Sequence, residues 1–473
     1  MYVQQIKTAI KYKNYRQAIF VLAHAAQKEQ TLKLVLGIAL YENREYYRAL
    51  SVLSTFNTVT GLFYVALCHK EMKNYGDAID ALLRIVNREA LKDVIDGEWN
   101  SYVLEDGGDE HVYALLGELY TLNEQGDDAL VYYKRCTGLY VPFIALFYEH
   151  KLDELVCTGE NDFFAQFTAD LIEFERTENI KIVQKYYSLM PGIGTYFVSN
   201  AGRILFEHGD VKRSMRCFEV VLKNDATYTA DFDSYSAALW LDKNTNALSC
   251  MCRTLLDKCK GSYVTWSALG NYFSLKNDHN RSVLCLKKSL NMYKTAYAYL
   301  LLGHESIIRN EYDHAQNFFF HALKMHRNNY NALFGIGLVF SKTDQIENAD
   351  LFFRKAVDLN SHNKIIKYLY VKYLVENKKY DRAVELIRRT YRVDAGDTAA
   401  LVAYLKNNVL PRKDEYDDLI MLEMVDVLIY LEMVYEAQRF LDGVNVRNAS
   451  FRSKKDMVDK LLAVKENKGY VKK

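Results

Sequence analysis

The stretch that decides the fold is AYAYLLLGHESIIRNEYDHAQNFFFHAL, residues 296–323. Apolar residues recur through it at helical spacing, and the triplet Gly303-His304-Glu305 lies inside the first apolar run. A glycine is unfavourable in the middle of a helix unless close packing requires it. The triplet is therefore either a catalytic or metal site or one position of a repeated packing unit, and recurrence elsewhere in the chain decides between the two.

A small residue followed twelve positions later by Ala or Ser recurs along the whole chain, with Val in place of the first residue in the last two instances. The pairs are Gly37/Ala49, Ala66/Ala78, Gly117/Ala129, Gly202/Ser214, Gly270/Ser282, Gly303/Ala315, Gly337/Ala349, Val371/Ala383 and Val425/Ala437. From Gly270 onward the pairs step by 33, 34 and 34 residues. Gly303 is thus the small position of a 34-residue unit.

Large residues flank these pairs at the spacing of one helix face. Two short helices cross closely only where a small side chain of the first admits the second, and large side chains fill the flanking space. The pattern resembles the tetratricopeptide (TPR) repeat, and it is carried by Trp266, Leu269, Gly270, Phe273, Ser282, Leu286 and Ser289. The fold predicted is all-α, with TPR-type helix-turn-helix repeats stacked into a right-handed superhelical solenoid.

The repeat spacing divides the chain into four regions. We predict an N-terminal TPR array at 1–140 with an exposed acidic insertion at 91–110, connecting degenerate repeats at 141–228, a C-terminal TPR array with a peptide-binding groove at 229–451, and a capping helix and tail at 452–473. The regular units are expected at 195–228, 229–262, 263–295, 296–329, 330–363, 364–397 and 418–451.

Composition narrows the class of partner. The chain has 473 residues and a net charge of only +1, from 61 basic and 60 acidic residues, so no nucleic-acid partner is expected. Its apolar runs fall short of the roughly 20 residues that span a bilayer, so no membrane partner is expected either. The N-terminus shows no secretory signal, and the eight cysteines are expected to be reduced thiols inside the cell.

The sequence gives little support for a catalytic site or a metal site. His304 and Glu305 lack the second histidine of a zincin helix, and Cys250, Cys252 and Cys259 lack the spacing of a zinc site. The chain carries no phosphate-binding glycine loop, nucleophile elbow or dinucleotide fingerprint. We therefore predict no catalytic residue, no metal, no cofactor and no enzymatic activity.

The inner face of the repeats is the predicted binding surface. In this architecture the first helix of each unit lines the concave side, and helical steps from the second position of a unit select its exposed face. The residues selected include Asn271, Tyr297, Leu300, His304, Asn331 and Phe334, with Glu305 at the edge. This mixture of apolar, aromatic, amide and acidic groups suits a short peptide with one apolar and one cationic anchor.

Several segments together resemble a known family. The segments are YRQAIFVLAHAAQ, HVYALLGELYTLNEQGDDALVYYKRC, WSALGNYFSLKNDHNRSV, AYAYLLLGHE and YNALFGIGLVFSK. They are similar to the TPR scaffold subunits of the anaphase-promoting complex, a cell-cycle ubiquitin ligase, and most of all to the type of subunit that receives coactivator tails. This chain departs from that type in having almost no loop between its two arrays.

The resemblance implies a noncatalytic scaffold, nuclear and cytoplasmic, that assembles with other subunits of the complex. Its N-terminal repeats would form a homodimer, and its C-terminal groove would bind the terminal Ile-Arg of a coactivator or of a core subunit. By this analogy Glu305 would hold the arginine and Asn271 and Asn331 the backbone or terminal carboxylate. The isoleucine pocket would be formed by Tyr297, Leu300 and Phe334.

Three alternatives stay open at this stage. A sibling TPR scaffold of the same complex shares the Gly-His-Glu and glycine-rich helix segments. A peptide-binding co-chaperone would use a similar groove, although its clamp needs repeated Lys, Arg and Asn side chains, and here only Asn271 and Lys372 fit. The regulatory array of an enzyme is the third alternative.

Overall fold

The structure is a computed structural model of the 473-residue chain. The residues that it describes are 2–25, 30–87, 89, 109–123, 125–136, 163–190, 192–393, 398–409, 415–443 and 449–470. The chain divides into two compact units, Met1–Ile182 and Val183–Lys473, and each is described by itself.

The N-terminal unit is built from helices that pack on their neighbours in the chain. They are α1 (Tyr2–Lys11), α2 (Tyr15–Ala25), α3 (Gln30–Glu42), α4 (Tyr46–Leu53), α5 (Val59–Glu71), α6 (Tyr75–Val86), α7 (Asp109–Leu122), α8 (Gly126–Tyr133) and α9 (Phe163–Thr177). The buried faces of α1 to α7 form one continuous apolar cluster from Ile6 to Leu119. A short helix, α10 (Ile180–Lys185), crosses into the second unit.

The C-terminal unit continues the same construction in regular pairs. Its helices are α11 (Ile193–Glu207), α12 (Val211–Asn224), α13 (Phe232–Leu241), α14 (Thr245–Lys258), α15 (Tyr263–Leu275), α16 (His279–Met292), α17 (Ala296–Ile308), α18 (Tyr312–Met325), α19 (Tyr330–Lys342), α20 (Ile346–Leu359), α21 (Lys364–Glu376), α22 (Tyr380–Thr390), α23 (Thr398–Tyr404), α24 (Glu415–Tyr430), α25 (Val434–Gly443) and α26 (Ala449–Tyr470). Each predicted unit from 195–228 to 364–397 corresponds to one helix pair. The prediction of an all-α repeat fold is confirmed.

The twelve-residue pairs are the points where the two helices of a repeat come closest. Ser214, on the second helix of its repeat, donates a hydrogen bond from Oγ to the Gly202 carbonyl at 2.7 Å. The fully buried Phe319 of α18 lies against Gly303 in its own repeat and against Gly335 in the next one. Gly303 therefore has a packing function: its missing side chain makes room for the Phe319 ring.

The turns between paired helices repeat with the same period. A residue with positive φ precedes the second helix in successive repeats, at Lys243, Asn277, Asn310, Asp344 and Lys378, with φ between 56° and 60°. These positions are 33 or 34 residues apart. Asn and Asp tolerate this left-handed conformation better than other side chains, so three of the five turns use a favourable residue.

The regular array is interrupted after α22. Helix α23 and a following π-helical turn, Leu405–Val409, lie between repeats, and α21 packs directly against α24. At the end of the chain α26 packs against α24 and α25, and the Lys454 ammonium reaches Glu423 Oε2 at 2.8 Å and the Leu422 carbonyl at 2.9 Å. The last repeat thus has a helix covering its outer side.

Two predicted features fall largely outside the described residues. The acidic insertion at 91–110 is one, apart from its last two residues, which begin α7. Most of the connection near 140–160 is the other. Among the helices that are described, none has the length and apolar character needed to cross a membrane.

We expect Gly303→Ala to destabilise the C-terminal unit by roughly 1–3 kcal/mol, because a Cβ at this position would lie 2.6 Å from two Phe319 ring carbons. In an unconstrained helix the same change would be favourable by up to about 1 kcal/mol. The sign of the change in unfolding free energy therefore distinguishes close packing at Gly303 from its absence. Chemical unfolding of the full chain measures it.

Gly261→Ala is the matched control, since nothing lies within 4 Å of a Cβ there. It should change stability by less than about 0.5 kcal/mol. Adding Phe319→Leu to Gly303→Ala should recover part of the loss, and a stabilised Gly303→Ala variant would contradict the packing role.

Candidate functional site

The predicted binding residues lie on the first helices of three successive repeats. Asn271 is on α15, Asn331 and Phe334 are on α19, and the remaining four, Tyr297, Leu300, His304 and Glu305, are on α17. The structure brings some of them into a shared hydrogen-bond network and places others in the core between helices. Their environments differ enough to separate binding groups from packing groups.

Asn271 and Tyr297 belong to one polar cluster that joins three first helices. The Asn271 Nδ2 group donates to Ser236 Oγ on α13 at 2.9 Å and to the Tyr297 hydroxyl on α17 at 2.7 Å. The hydroxyls of Ser236 and Tyr297 are 3.2 Å apart. Asn271 is 3% exposed, so its amide is held at one orientation by partners on both sides.

Glu305 lies between repeats and already has a partner. It is 3% exposed, and its Oε2 is 2.8 Å from Nδ1 of His279, the first residue of α16 in the preceding repeat. A buried carboxylate keeps such a partner strongly, because separating the pair leaves a desolvated charge. An incoming arginine would have to displace His279 to reach Glu305.

His304, Leu300 and Phe334 are packing residues in this structure. The His304 ring stands edge-on to Phe319 at 5.2 Å, and burial lowers the pKa of His304 to about 4, so the ring is neutral at pH 7. Leu300 and Phe334 are each 6% exposed, and Phe334 contacts Phe353 at 4.7 Å between ring centroids. Leu300 and Phe334 therefore lie mostly in the core, behind the surface of the predicted groove.

Asn331 lies at a contact between distant repeats. Burial, followed by the charge of Glu207, raises the pKa of its neighbour Tyr330 to about 12, and the side chains of Asn331, Asn360 and Asn363 lie close enough to oppose this shift. Of these neighbours of Tyr330, Glu207 belongs to α11, and Asn360 and Asn363 belong to the loop between α20 and α21.

This cross-turn contact links the first regular repeat to the end of the fifth and the start of the sixth. The Asn360 side chain donates to the Glu207 carbonyl at 3.2 Å, and the rings of His208 and His362 are 5.2 Å apart. Gly209 has a φ of 90°, and a Cβ there would lie 3.3 Å from the Lys364 nitrogen. The repeats between 193 and 364 therefore form one turn whose edges touch.

Asp233 on α13 is a groove residue that the sequence analysis missed. Its Oδ1 atom is buried and has no hydrogen-bond partner among the residues that the structure describes. Asp233 is close enough to Tyr297 and Tyr263 to raise the pKa of both phenols, although burial is the larger cause for each. Asp233 therefore lies near the Tyr297 end of the Asn271–Tyr297 cluster.

Burial and the nearby Asp231 carboxylate raise the pKa of Asp233 to about 7. Asp231 is itself hydrogen-bonded, accepting from Ser199 Oγ at 2.7 Å and from the Tyr228 hydroxyl at 3.2 Å. Of the two carboxylates, Asp231 is therefore stabilised by hydrogen bonds, whereas Asp233 has an oxygen without one among the described residues. The helical counting applied to later repeats selects Asp233 when it is applied to the unit 229–262, so the signal was present in the sequence.

Cysteine and metal chemistry add nothing to this site. The cysteines of the described residues are free thiols, and Cys252 is buried while Cys250 is exposed. Within the same part of the chain no group of three His, Cys, Asp or Glu residues is arranged to hold a metal ion.

Comparison with known proteins defines the class first. A family model described as tetratricopeptide repeat matches residues 330–363, the unit that contains α19 and α20. This match has the boundaries that the 34-residue period predicts. The chain thus contains a tetratricopeptide repeat at these residues.

Individual relatives then narrow the family. Anaphase-promoting complex subunit 3 of Schizosaccharomyces pombe is 26% identical over 223 residues, which are 47% of this chain and 33% of the relative. A cell division cycle protein 27 homolog of Caenorhabditis elegans is 32% identical over 164 residues, 34% of this chain and 21% of the relative. The chain thus matches a third or less of the length of either relative.

A solved structure described as the N-terminus of Cdc27 covers 48% of this chain and 99% of its own, with 29% identity and a TM-score of 0.44. The sequence relatives confirm the predicted resemblance: over part of its length the chain is similar to anaphase-promoting complex subunit 3 and to cell division cycle protein 27.

The raised pKa of Asp233 predicts how the stability of the fold depends on pH. The fold favours the protonated carboxyl, so stability should fall as pH rises from about 4, where the unfolded chain loses this proton, to about 7, where the folded state loses it, and should level off above that. Asp233→Asn should therefore be more stable than the parent at pH 8, by roughly 1 kcal/mol, and the difference should shrink at pH 5. Thermal unfolding of the full chain at both pH values measures it.

Asp257→Asn, an exposed position on α14, serves as the control and should show no such pH dependence. A stability difference between the parent and Asp233→Asn that stays constant from pH 5 to pH 8 would rule out a buried, proton-binding Asp233.

Proposed function

We propose that the chain is a noncatalytic scaffold subunit of the anaphase-promoting complex, assembling with other subunits and binding the C-terminal Ile-Arg tail of a coactivator or core subunit. Similarity to subunit 3 and to cell division cycle protein 27 proteins supports the scaffold role. The observation that carries the tail-binding role is the unpartnered, buried Oδ1 of Asp233 beside the Asn271–Tyr297 cluster.

We assign the arginine of the tail to Asp233 rather than to Glu305. The Glu305 carboxylate is paired with His279, whereas Asp233 has a buried oxygen without a partner. A guanidinium forms strong, charge-assisted hydrogen bonds with a carboxylate in such a position. Binding would also remove the cost of leaving the charged Asp233 unpaired.

The remaining contacts follow from the groups around Asp233. The Asn271 amide and the Tyr297 hydroxyl are placed to hydrogen-bond the tail backbone or its terminal carboxylate, and Asn331 offers a further amide along the same face. Leu300 and Phe334 would back the pocket for the isoleucine. Burying that side chain is worth roughly 1.5–3 kcal/mol, so a single tail should bind weakly.

Fluorescence anisotropy with a labelled peptide ending in Ile-Arg tests this assignment on the full chain. Asp233→Asn and Asn271→Ala should each weaken binding at least about tenfold, because each removes a hydrogen bond to a charged or terminal group. Asp257→Asn and the parent should bind equally. Glu305→Gln adds a discriminating variant: if it alone abolishes binding while Asp233→Asn does not, the arginine belongs to Glu305.

The same titration should depend on pH. A cationic tail binds the ionised form of Asp233, and with a pKa of about 7 that form is scarce at pH 6 and dominant at pH 8. Affinity should therefore rise by roughly tenfold between pH 6 and pH 8, and the rise should vanish in Asp233→Asn. A folded chain that binds no tail peptide at either pH would refute the tail-receptor role.

We also propose that the N-terminal repeats form a homodimer. Phe20 on α2 and Tyr47 on α4 are 81% and 80% exposed. Phe20 lies two residues after the buried Ala18 and Tyr47 two before the buried Ala49, so both project from the outer face of the second helix of their repeat. Exposed aromatic residues of this kind are typical of protein–protein interfaces.

Phe20→Glu combined with Tyr47→Glu should convert the dimer into a monomer of 54.9 kDa, with the dissociation constant raised roughly 100-fold or more. Light scattering coupled to gel filtration measures the mass. Leu284→Glu, which alters a 67% exposed leucine on α16, is the control and should leave the dimer intact. Equal masses for the double variant and the control would place the interface elsewhere.

A sibling TPR subunit of the same complex is the second candidate function. Its support is the similarity to anaphase-promoting complex subunit 8 of Arabidopsis thaliana, 32% identical over 91 residues, and to the human cell division cycle protein 16 homolog, 24% identical over 163 residues. Either role places the chain where this ligase acts, which we infer to be the nucleus and the cytoplasm.

A further inference from the structure

A second candidate site lies away from the groove, at the edge of the array where α20 and α22 end and α21 begins. It is a cavity of about 720 Å³, and Asp417 of α24 closes one side. None of the groove residues discussed above lines it. The volume is within the usual range of small-molecule sites.

Basic groups outnumber acidic groups around this cavity. The basic side chains of its lining are Arg354, Lys364, Lys367, Arg382, Arg389 and Arg392. The carboxylates are Asp358, Glu385 and Asp417. In a chain whose net charge is only +1, such a local excess is a distinct feature of this surface.

The ion pairs of the cavity leave part of this charge unbalanced. Arg354 and Arg382 share one buried carboxylate, Asp350, whose other oxygen accepts from the Tyr370 hydroxyl at 2.6 Å. The Asp350 carboxylate can therefore balance only one of the two guanidinium groups that it contacts.

Lys367 is the group that points to a ligand. Lys367 lines the cavity although the residue is only 9% exposed. Among the described residues no carboxylate pairs with its ammonium, and the charged groups that act on it are Lys364 and Arg392, both positive. A lysine whose side chain is mostly buried and has no carboxylate partner among the described residues is costly to keep charged.

The environment of Lys367 also shows what would relieve this cost. Burial, followed by the charges of Lys364 and Arg392, lowers the pKa of Lys367 below its usual range. Lys364 is held by Asp417, at 3.0 Å between Nζ and Oδ2, and Asp417 accepts a second bond from the Tyr391 hydroxyl at 2.8 Å. The Asp417 carboxylate thus already has two partners, and no carboxylate among the described residues pairs with Lys367.

We propose that this cavity binds a compact phosphate-bearing anion, with the Lys367 ammonium at its centre and the guanidinium groups of Arg382 and Arg392 beside it. A phosphate group supplies two negative charges and several acceptor oxygens, which matches an ammonium and guanidinium donors that line the same cavity. A single carboxylate would leave most of the excess charge unbalanced.

The same phosphate chemistry has two sources. A free small phosphate compound would fit inside the cavity, and a phosphorylated side chain of a partner protein would present the same group from outside. Both sources require Lys367, so the choice between them is made by experiment.

Isothermal titration calorimetry of the full chain with pyrophosphate is the test. We expect saturable binding that weakens as salt increases and that is at least tenfold weaker in Lys367→Met. Lys355→Met is the matched control: it removes an exposed lysine of α20 that does not line the cavity, and it should bind within twofold of the parent. Arg392→Gln provides an independent variant at an exposed position, expected to weaken binding several-fold.

A competing phosphoserine peptide, compared with its unphosphorylated form, identifies the source. Displacement of pyrophosphate by the phosphorylated form alone supports a phosphorylated partner, and no displacement by either form supports a free small anion. Non-saturable heats with pyrophosphate, or equal losses in Lys367→Met and Lys355→Met, would overturn the proposal, as would equal displacement by the two peptides.

Discussion

The close approach of two helices at a residue without a large side chain is the constraint on which this structure depends. Phe319 can be fully buried only because Gly303 and Gly335, from two successive repeats, leave its ring the necessary space. One aromatic ring therefore fixes both the crossing within a repeat and the position of the next repeat. The spacing of the first helices, and with it the groove, follows from that contact repeated along the chain.

Sequence reasoning succeeded where the determinants lie within one repeat. The twelve-residue pairs and the 34-residue period are local, so they located the helix pairs from 193 to 390 and explained Gly303 as a packing residue. The partner of Glu305 depends instead on the angle between repeats, since His279 belongs to the preceding unit. The break after α22 follows no period either, so the cavity that forms beside it had no sequence signature.

Asp233 and Lys367, although opposite in charge, have the same kind of environment. Each is a charged residue type in a buried position with no compensating group among the described residues around it. Such arrangements lower the stability of the fold, because the interior solvates an isolated charge poorly. In a nearly neutral chain they stand out against the many exposed ion pairs, which contribute little. The charges that a repeat protein leaves unpaired are therefore more informative about its ligands than its net charge.

The cross-turn contact between residues 207–209 and 360–364 has a topological consequence for the groove. Because the edges of this turn touch, its interior resembles a tube rather than an open channel along that side. A polypeptide loop would have to part the two edges in order to enter, whereas a chain terminus can thread in lengthwise. A closed edge of this kind would suit the proposed binding of a chain terminus better than the binding of an internal segment.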